Sequence, residues 1–308
     1  MPIYVDEAQA RASLSIAKVI AALSAAFLAQ ADGKVQNAPR TRASLLGKSL
    51  NVTAASDASS GRYAVKIYGG GNYHIHLYDA DRGLLAIFEA DWLGQLRTGA
   101  ANALAASLMA RKASRRVALI GAGRQAVAQL LALESVGLMD EANVFARRRE
   151  QGEAFCEEMS KILHARLSLA TTAENAIFDA DIVVTATTST KPVFDLHAIK
   201  PGAHINAMGA NSATRMEIDP NLVGKCAYIG TDDVVQARKE AAEFLALEPD
   251  FDWRIVRPLS EIVRAGGIAR NNTDVTLYKS LGAGIEDLAI ASLFFDCLTG
   301  AKTAQVSG

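Results

Sequence analysis

The chain has 308 residues, 50% of them hydrophobic, with 32 Lys and Arg against 33 Asp and Glu and a formal net charge of −1. That length suits about two domains at the usual ~150 residues each, and the balanced charge offers no field to gather nucleic acid or an anionic membrane. Three cysteines, Cys156, Cys226 and Cys297, are odd in number and far apart, which excludes a disulfide framework or a zinc module and leaves reduced, mostly buried thiols as the expectation.

The N-terminus has no basic stretch leading into an apolar run, and the apolar residues 16–29 are interrupted by Lys18 and Ser24. Neither a secretory signal nor a bilayer span is expected, and the cytoplasm is the expected compartment. Residues 5–30 carry apolar positions at helical spacing (Leu14, Ala17, Ile20, Leu23, Phe27) until Asp32-Gly33, which predicts one or two helices. From 33 to 89 the pattern alternates in short runs, such as Tyr63-Ala64-Val65-Lys66-Ile67-Tyr68 and Tyr73-His74-Ile75-His76-Leu77-Tyr78, parted by Gly69-Gly70-Gly71. These predict strands of an antiparallel sheet. Residues 91–111 return to helical period.

At Arg116 the grammar changes. Apolar runs at 117–120, 143–146, 182–184, 203–206 and 226–229 alternate with helical stretches, which predicts crossover units and a parallel sheet buried on both faces. After about Leu277 one more helix, 285–296, precedes a polar tail. The fold class expected is α/β.

Directly after the first of these strands stands Gly121-Ala122-Gly123-Arg124-Gln125-Ala126, opening a helix. The first Gly permits the tight turn, the second lets a pyrophosphate approach the backbone, and Ala in third place lets helix and strand pack closely. The helix N-terminus offers N–H groups and partial positive charge to the phosphates. At the end of the second strand, where an NAD site places an acid for the ribose, the chain has Ala146-Arg147-Arg148-Arg149. Guanidinium groups there suit a 2′-phosphate, so NADP(H) is the preferred cofactor and NAD(H) the alternative. Thr185, Thr187 and Thr188 follow the strand 182–184 at the carboxyl edge, where cofactor contacts fall. His74 and His76 share one strand face but lack a third ligand, and His204 reads as a hydrogen-bonded core residue, so no metal site is expected.

Four segments, Gln95-Leu96-Arg97-Thr98, residues 121–126, residues 200–210 with Asn206 and Met208, and residues 278–287 with Ser280, resemble the ornithine cyclodeaminase and mu-crystallin family in their order along the chain. The resemblance implies a discontinuous α+β substrate-binding and dimerisation domain, residues 1–114 and 277–308, around a Rossmann domain, residues 115–276. It implies Arg40, Lys66 and Arg97 as substrate-carboxylate contacts, Lys66 and Asp232 as catalytic groups, and Thr98, Met208 and Ser280 among the cofactor contacts. Asp233 adjoins Asp232, and one of the pair is expected to cap the next helix. An Asp232→Asn change is expected to leave stability within about 1 kcal/mol.

The family's chemistry implies a small amino or imino acid substrate and a homodimer. Reduction of a cyclic ketimine, pyrroline-2-carboxylate or piperideine-2-carboxylate, is preferred. Cyclodeaminases of the family carry a Glu upstream of the strand Lys and an Asn-Gly-His-Pro run after it, whereas residues 51–56 here lack a carboxylate and Lys66 is followed by Ile67-Tyr68-Gly69-Gly70-Gly71. Ornithine cyclodeaminase is the alternative, followed by an open-chain amino-acid dehydrogenase and a non-catalytic NADPH-dependent binder.

Overall fold

The chain opens with β1 (Ile3–Val5) and two helices whose starts are set by side chains in the computed structural model, which describes residues 1–300. The Asp6 side chain accepts from the Gln9 N–H at 2.8 Å and the Gln9 side chain from the Asp6 N–H at 3.1 Å, a reciprocal cap for α1 (Glu7–Ser13). Ser15 caps α2 (Ile16–Ala31), and Gly33 follows at φ +75°. The buried stripe of α2 is Val19, Leu23 and Phe27, whereas Ala17 is exposed and Ile20 only half-buried. The buried face is thus turned from the expected one, because apolar residues surround this helix and packing chooses among them.

Five strands follow: β2 (Val35–Leu45), β3 (Lys48–Asp57), β4 (Arg62–Gly69), β5 (Asn72–Asp79) and β6 (Gly83–Glu89). Each pairs antiparallel with the next, and β1 joins the edge parallel to β6. Pro39 has no N–H to give the ladder, and the β2–β3 register shifts between Ala38 and Thr41. That irregularity turns Arg40 inward in a strand that is otherwise mostly exposed. The chain's last helix, Gly284–Thr299, lies against α2 and β2 to β5, with Phe294 edge-on to Phe88 at 5.6 Å. It sits so close to β3 that a Cβ at Gly284 would stand 2.4 Å from the Ala54 carbonyl oxygen.

After α3 (Asp91–Met109) comes the α/β part. Its elements are β7 (Arg116–Ile120), α4 (Arg124–Ser135), β8 (Glu141–Phe145), α5 (Arg149–Met159), β9 (Arg166–Leu169), α6 (Ala173–Ile177), β10 (Ile182–Thr185) and β11 (His204–Ala207). Then come α7 (Pro220–Val223), β12 (Tyr228–Thr231), α8 (Val234–Glu240), α9 (Ala242–Leu245), β13 (Val256–Pro258), α10 (Leu259–Arg264) and β14 (Thr276–Lys279); the last helix is α11. The eight strands are parallel in the order β13-β12-β14-β11-β10-β7-β8-β9. Buried on both faces, they read as continuous apolar runs, such as Val117 to Ile120. The order reverses between β7 and β10, which is the switch point where a doubly wound sheet opens its ligand crevice.

The described residues divide into two compact units, residues 1–97 with 283–300 and residues 98–282. These limits differ from the expected 114/115 and 276/277. The second half of α3 belongs with the Rossmann unit, since a Cβ at Gly99 would stand 2.2 Å from the Ala128 carbonyl oxygen and Asn102 donates to Gln129 at 3.0 Å. β14, expected with the C-terminal helix, is instead bonded between β11 and β12 in the middle of the parallel sheet. The thiols also depart from expectation: Cys156 and Cys226 are half-buried and Cys297, in the last turns of α11, is exposed. Among the described residues no helix is long and apolar enough to cross a membrane.

Candidate functional site

In the α+β unit, three cations and two carboxylates meet in a buried cluster. Arg40 comes from the irregularity in β2, Lys66 from β4 and Arg97 from α3, and all three are buried. Lys66 lies directly across the ladder from Thr53. The first turn of α11 supplies Glu286 and Asp287, both buried. Arg97 Nη1 donates to Glu286 Oε2 at 2.5 Å, and Arg97 Nε lies 3.2 Å from Asp287 Oδ1. The Lys66 ammonium donates to the same Oδ1 at 3.2 Å, and the Thr53 hydroxyl to Asp287 Oδ2 at 3.1 Å. The Tyr68 ring lies 5.4 Å from Lys66 Nζ and 6.0 Å from the Arg40 guanidinium carbon.

Burial pushes the Lys66 ammonium down to about 8; Asp287 pulls it up, and Arg97 and Arg40 press it down. Burial raises Asp287, but Lys66 and Arg97 outweigh it and hold the carboxyl below its usual range. Burial works against the Arg97 charge, yet Asp287 and Glu286 outweigh it and raise its pKa. Three basic and two acidic side chains are thus gathered in a desolvated place. Such a gathering of fixed donors suits one small carboxylate.

In the Rossmann unit the turn after β7 is a cradle. Gly121 has φ +109°, and a Cβ there would stand 2.5 Å from the Ala186 carbonyl oxygen, so only Gly fits. A Cβ on Gly123 would meet nothing within 4 Å, and no side chain caps α4 at that position. Ala126 is fully buried, and the buried Gln125 Oε1 has no hydrogen-bond partner among the described residues. Open space and an uncapped helix start are what the pyrophosphate of a dinucleotide would fill, and a ribose hydroxyl could donate to the unmet Gln125 oxygen. Arg124, Arg147 and Arg148 are exposed. Gln151 donates to the Ala122 carbonyl at 2.8 Å and accepts from Arg148 Nη2 at 2.9 Å, which braces Arg148 against the turn.

Thr98, Met208 and Ser280 are buried; the Met208 N–H donates to the Thr185 carbonyl at 3.1 Å and the Ser280 N–H to the Ala207 carbonyl at 3.0 Å. The Thr185 and Thr187 hydroxyls donate to Glu217 at 3.0 and 2.8 Å. Burial pushes Glu217 above the ordinary carboxylate range, while Lys279 and the Thr187 and Thr185 donors hold it back.

Asp232 is fully buried. Its Oδ2 accepts from the Leu281 and Gly282 N–H groups at 2.8 and 2.5 Å, and its Oδ1 from the Asp233 N–H at 3.0 Å and the Thr231 hydroxyl at 3.2 Å. The carboxylate is therefore an anchor for the segment after β14. Asp233 caps α8, accepting from the Gln236 N–H at 2.7 Å. His204 is buried, bonded through Nδ1 to Thr276 at 2.8 Å and Nε2 to Asn206 at 3.0 Å, and burial pushes it down to about 3. His74 and His76 share one half-exposed face of β5, and no group of three or more metal-ligating side chains is found among the described residues. Sequence reasoning singled out neither Glu286 and Asp287 nor Glu217 and Gln151. The acidic pair stands in a Gly-Ile-Glu-Asp run at a helix start, but nothing local says which cations it meets.

The family model described as "Ornithine cyclodeaminase/mu-crystallin family" matches residues 5–302. Mouse (Mus musculus) ketimine reductase mu-crystallin is 29% identical over 304 residues, covering 94% of each chain. A putative dehydrogenase of Rhizobium meliloti is 33% identical over 217 residues, 68% of this chain, and the match spans 64% of that protein, less than two thirds of its length. Among solved structures, Thermococcus litoralis Δ1-pyrroline-2-carboxylate reductase in complex with NADH and L-proline superposes with a TM-score of 0.92 at 28% identity, covering 97% of this chain and 98% of that one.

Proposed function

The chain belongs to the ornithine cyclodeaminase/mu-crystallin family, and on that premise we propose that it reduces a cyclic ketimine amino acid, pyrroline-2-carboxylate or piperideine-2-carboxylate, to the cyclic amino acid with NAD(P)H. Its enzyme class is that of its relatives, NAD(P)-dependent oxidoreductases or cyclodeaminases acting at C=N or CH–NH bonds. The observation that carries the substrate is the convergence of Arg40, Lys66 and Arg97 in one buried cluster. The two guanidinium groups hold the substrate carboxylate, because planar forks do not titrate and fix its orientation.

A nicotinamide dinucleotide is the cofactor, and its reduced ring, when bound, supplies the hydride that ends on the imine carbon. Gly121, Gly123 and the start of α4 hold its pyrophosphate, with Thr98, Met208 and Ser280 as further contacts. Lys66 contacts the carboxylate and holds the proton that ends on the imine nitrogen; an ammonium pushed down to about 8 is close to the working pH, as an efficient acid must be. Hydride and proton together turn C=N into CH–NH. Asp232 is kept as the second catalytic group, while its carboxylate also accepts from the Leu281 and Gly282 N–H groups. The α+β unit carries substrate binding and, through the exposed Leu45, Leu46 and Leu50 of β2 and β3 and the turn between them, a homodimer contact that sedimentation can check.

NADP(H) is the preferred form, because the exposed Arg147 and the braced Arg148 suit a 2′-phosphate. Neutralising both should raise KM for NADPH by roughly tenfold to a hundredfold over any change for NADH; equal changes would remove the 2′-phosphate assignment. The function itself is tested by following NADPH oxidation with each cyclic ketimine and ammonia release from ornithine with NAD. Turnover of a ketimine with no ammonia from ornithine is expected. Ammonia release without ketimine reduction would make the cyclodeaminase reading the right one, and inertness toward both would sink the enzyme proposed here.

A further inference from the structure

Glu217 lies between β11 and α7 and is fully buried. Its carboxylate gathers five donors: Oε1 accepts from the Thr187 N–H at 2.7 Å and hydroxyl at 2.8 Å, and Oε2 from the Thr185 hydroxyl at 3.0 Å and the Gly209 and Ala210 N–H groups at 2.6 and 3.0 Å. The donors come from the two loops that leave β10 and β11 at the carboxyl edge of the sheet. Those loops are packed on each other and on the Gly-rich turn. A Cβ on Gly209 would stand 2.3 Å from the Thr187 carbonyl oxygen and 2.5 Å from Glu217 Oε1, and one on Gly121 would stand 2.5 Å from the Ala186 carbonyl oxygen.

The backbone of Glu217 is itself tethered. The Glu217 N–H donates to Glu243 Oε1 at 3.1 Å, and the buried Lys279 of β14 donates to the same oxygen at 3.1 Å. An apolar side chain here would leave these donors unmet, so the acid's measurable work is to hold the two loops that carry them. A doubly wound sheet binds a dinucleotide across its switch point, one nucleotide over each half of the sheet. The Gly-rich turn and Arg147 and Arg148 belong to the β7–β8 half, and the loops bound by Glu217 to the β10–β11 half.

We propose that Glu217 is the positioning residue for the nicotinamide half of the cofactor site, holding loops 185–187 and 208–210 at one height so that their backbone, rather than their threonine hydroxyls, meets the nicotinamide nucleotide. This deepens the dinucleotide reading above and rests on it. Glu217 acts through the loops and touches no reacting atom. Exchanging it for Gln keeps the size but turns an NH₂ group toward N–H and O–H donors, which leaves donors facing a donor.

The test compares a whole dinucleotide with its adenosine half. Calorimetric titration of the wild type and of Glu217→Gln with NADPH and with adenosine 2′,5′-bisphosphate is paired with thermal melting of each protein. NADPH affinity should fall by about tenfold or more in the variant while adenosine bisphosphate affinity stays within about twofold, since only the loops over β10 and β11 lose their anchor. A role in packing alone would lower the melting temperature and leave the ratio of the two affinities unchanged, and that result overturns the proposal. Should Glu217→Gln fail to fold, the double change Thr185→Val with Thr187→Val removes two of the five donors and keeps the acid. It should give the same selective loss, smaller in size, and an unchanged ratio there is equally adverse. A wild type that binds neither NADPH nor NADH removes the dinucleotide reading together with this one, whereas a binding wild type with an unaltered variant removes this one alone.

Discussion

Lys66 interrupts an apolar strand with a charge, and the structure shows what that charge meets: Asp287 lies at 3.2 Å, while burial first, and Arg97 and Arg40 after it, press its pKa down toward 8. The sign of the pH dependence follows. In the free protein Lys66 keeps its proton below about 8 and loses it above, so the cluster gives up one positive charge as pH rises through that value. Affinity for a substrate carboxylate should fall with it, and KM should climb by up to about tenfold per pH unit above the transition. Lys66→Arg keeps the charge and does not titrate in this range, so its KM should stay nearly flat between about pH 7 and about pH 10. The same slope in both proteins would take Lys66 out of substrate binding. Arg40, Lys66 and Arg97 were all named from the sequence, although only the family pattern set them apart from ordinary surface cations. Their partners were not, because 189 positions separate Arg97 from Glu286 and 221 separate Lys66 from Asp287. Periodicity reports which side of a helix is apolar and is silent on contacts of that range.

At the scale of elements, the strand–turn–helix of β7 and α4 was readable because each residue of the motif answers a local demand: a positive φ at Gly121, open space at Gly123, tight packing at Ala126. The end of β12 was less so. Two adjacent aspartates can each cap a helix, and only the distances divide the work, with Asp233 capping α8 and Asp232 binding the backbone after β14. The two positions should therefore respond differently to the same change. Asn is nearly as good a cap as Asp, so Asp233→Asn should alter stability by less than about 0.5 kcal/mol. Asp232→Asn cannot accept at both former oxygens and should cost about 1 to 3 kcal/mol, more than the cap reasoning from sequence allowed. Paired thermal melts decide it, and equal shifts would mean that Asp232 does not hold Leu281 and Gly282. The irregularity in β2 belongs at this scale too. Pro39 signals a break in the ladder, but that the break turns Arg40 inward depends on the β2–β3 register, which the sequence does not state.

For the whole molecule, the alternation of strands and helices after Arg116 was enough to predict a parallel sheet, while the place of β14 in it was not. A strand spelled last can pair anywhere along a sheet's open side, and here it fills a position between two strands made earlier. A chain ended just before Thr276 should lose the strand between β11 and β12 and also the helix that covers α2 and β2 to β5. Such a fragment should show no cooperative melting transition and should bind an apolar dye; cooperative melting of either unit within it would contradict the dependence argued here. The late strand also bears on how the protein is made. During synthesis the nascent chain emerges with β11 and β12 each lacking a neighbour until β14 follows, and with the antiparallel sheet uncovered until α11 follows. Both cores therefore close late, and until they do the chain carries open strand edges of the kind that template aggregation.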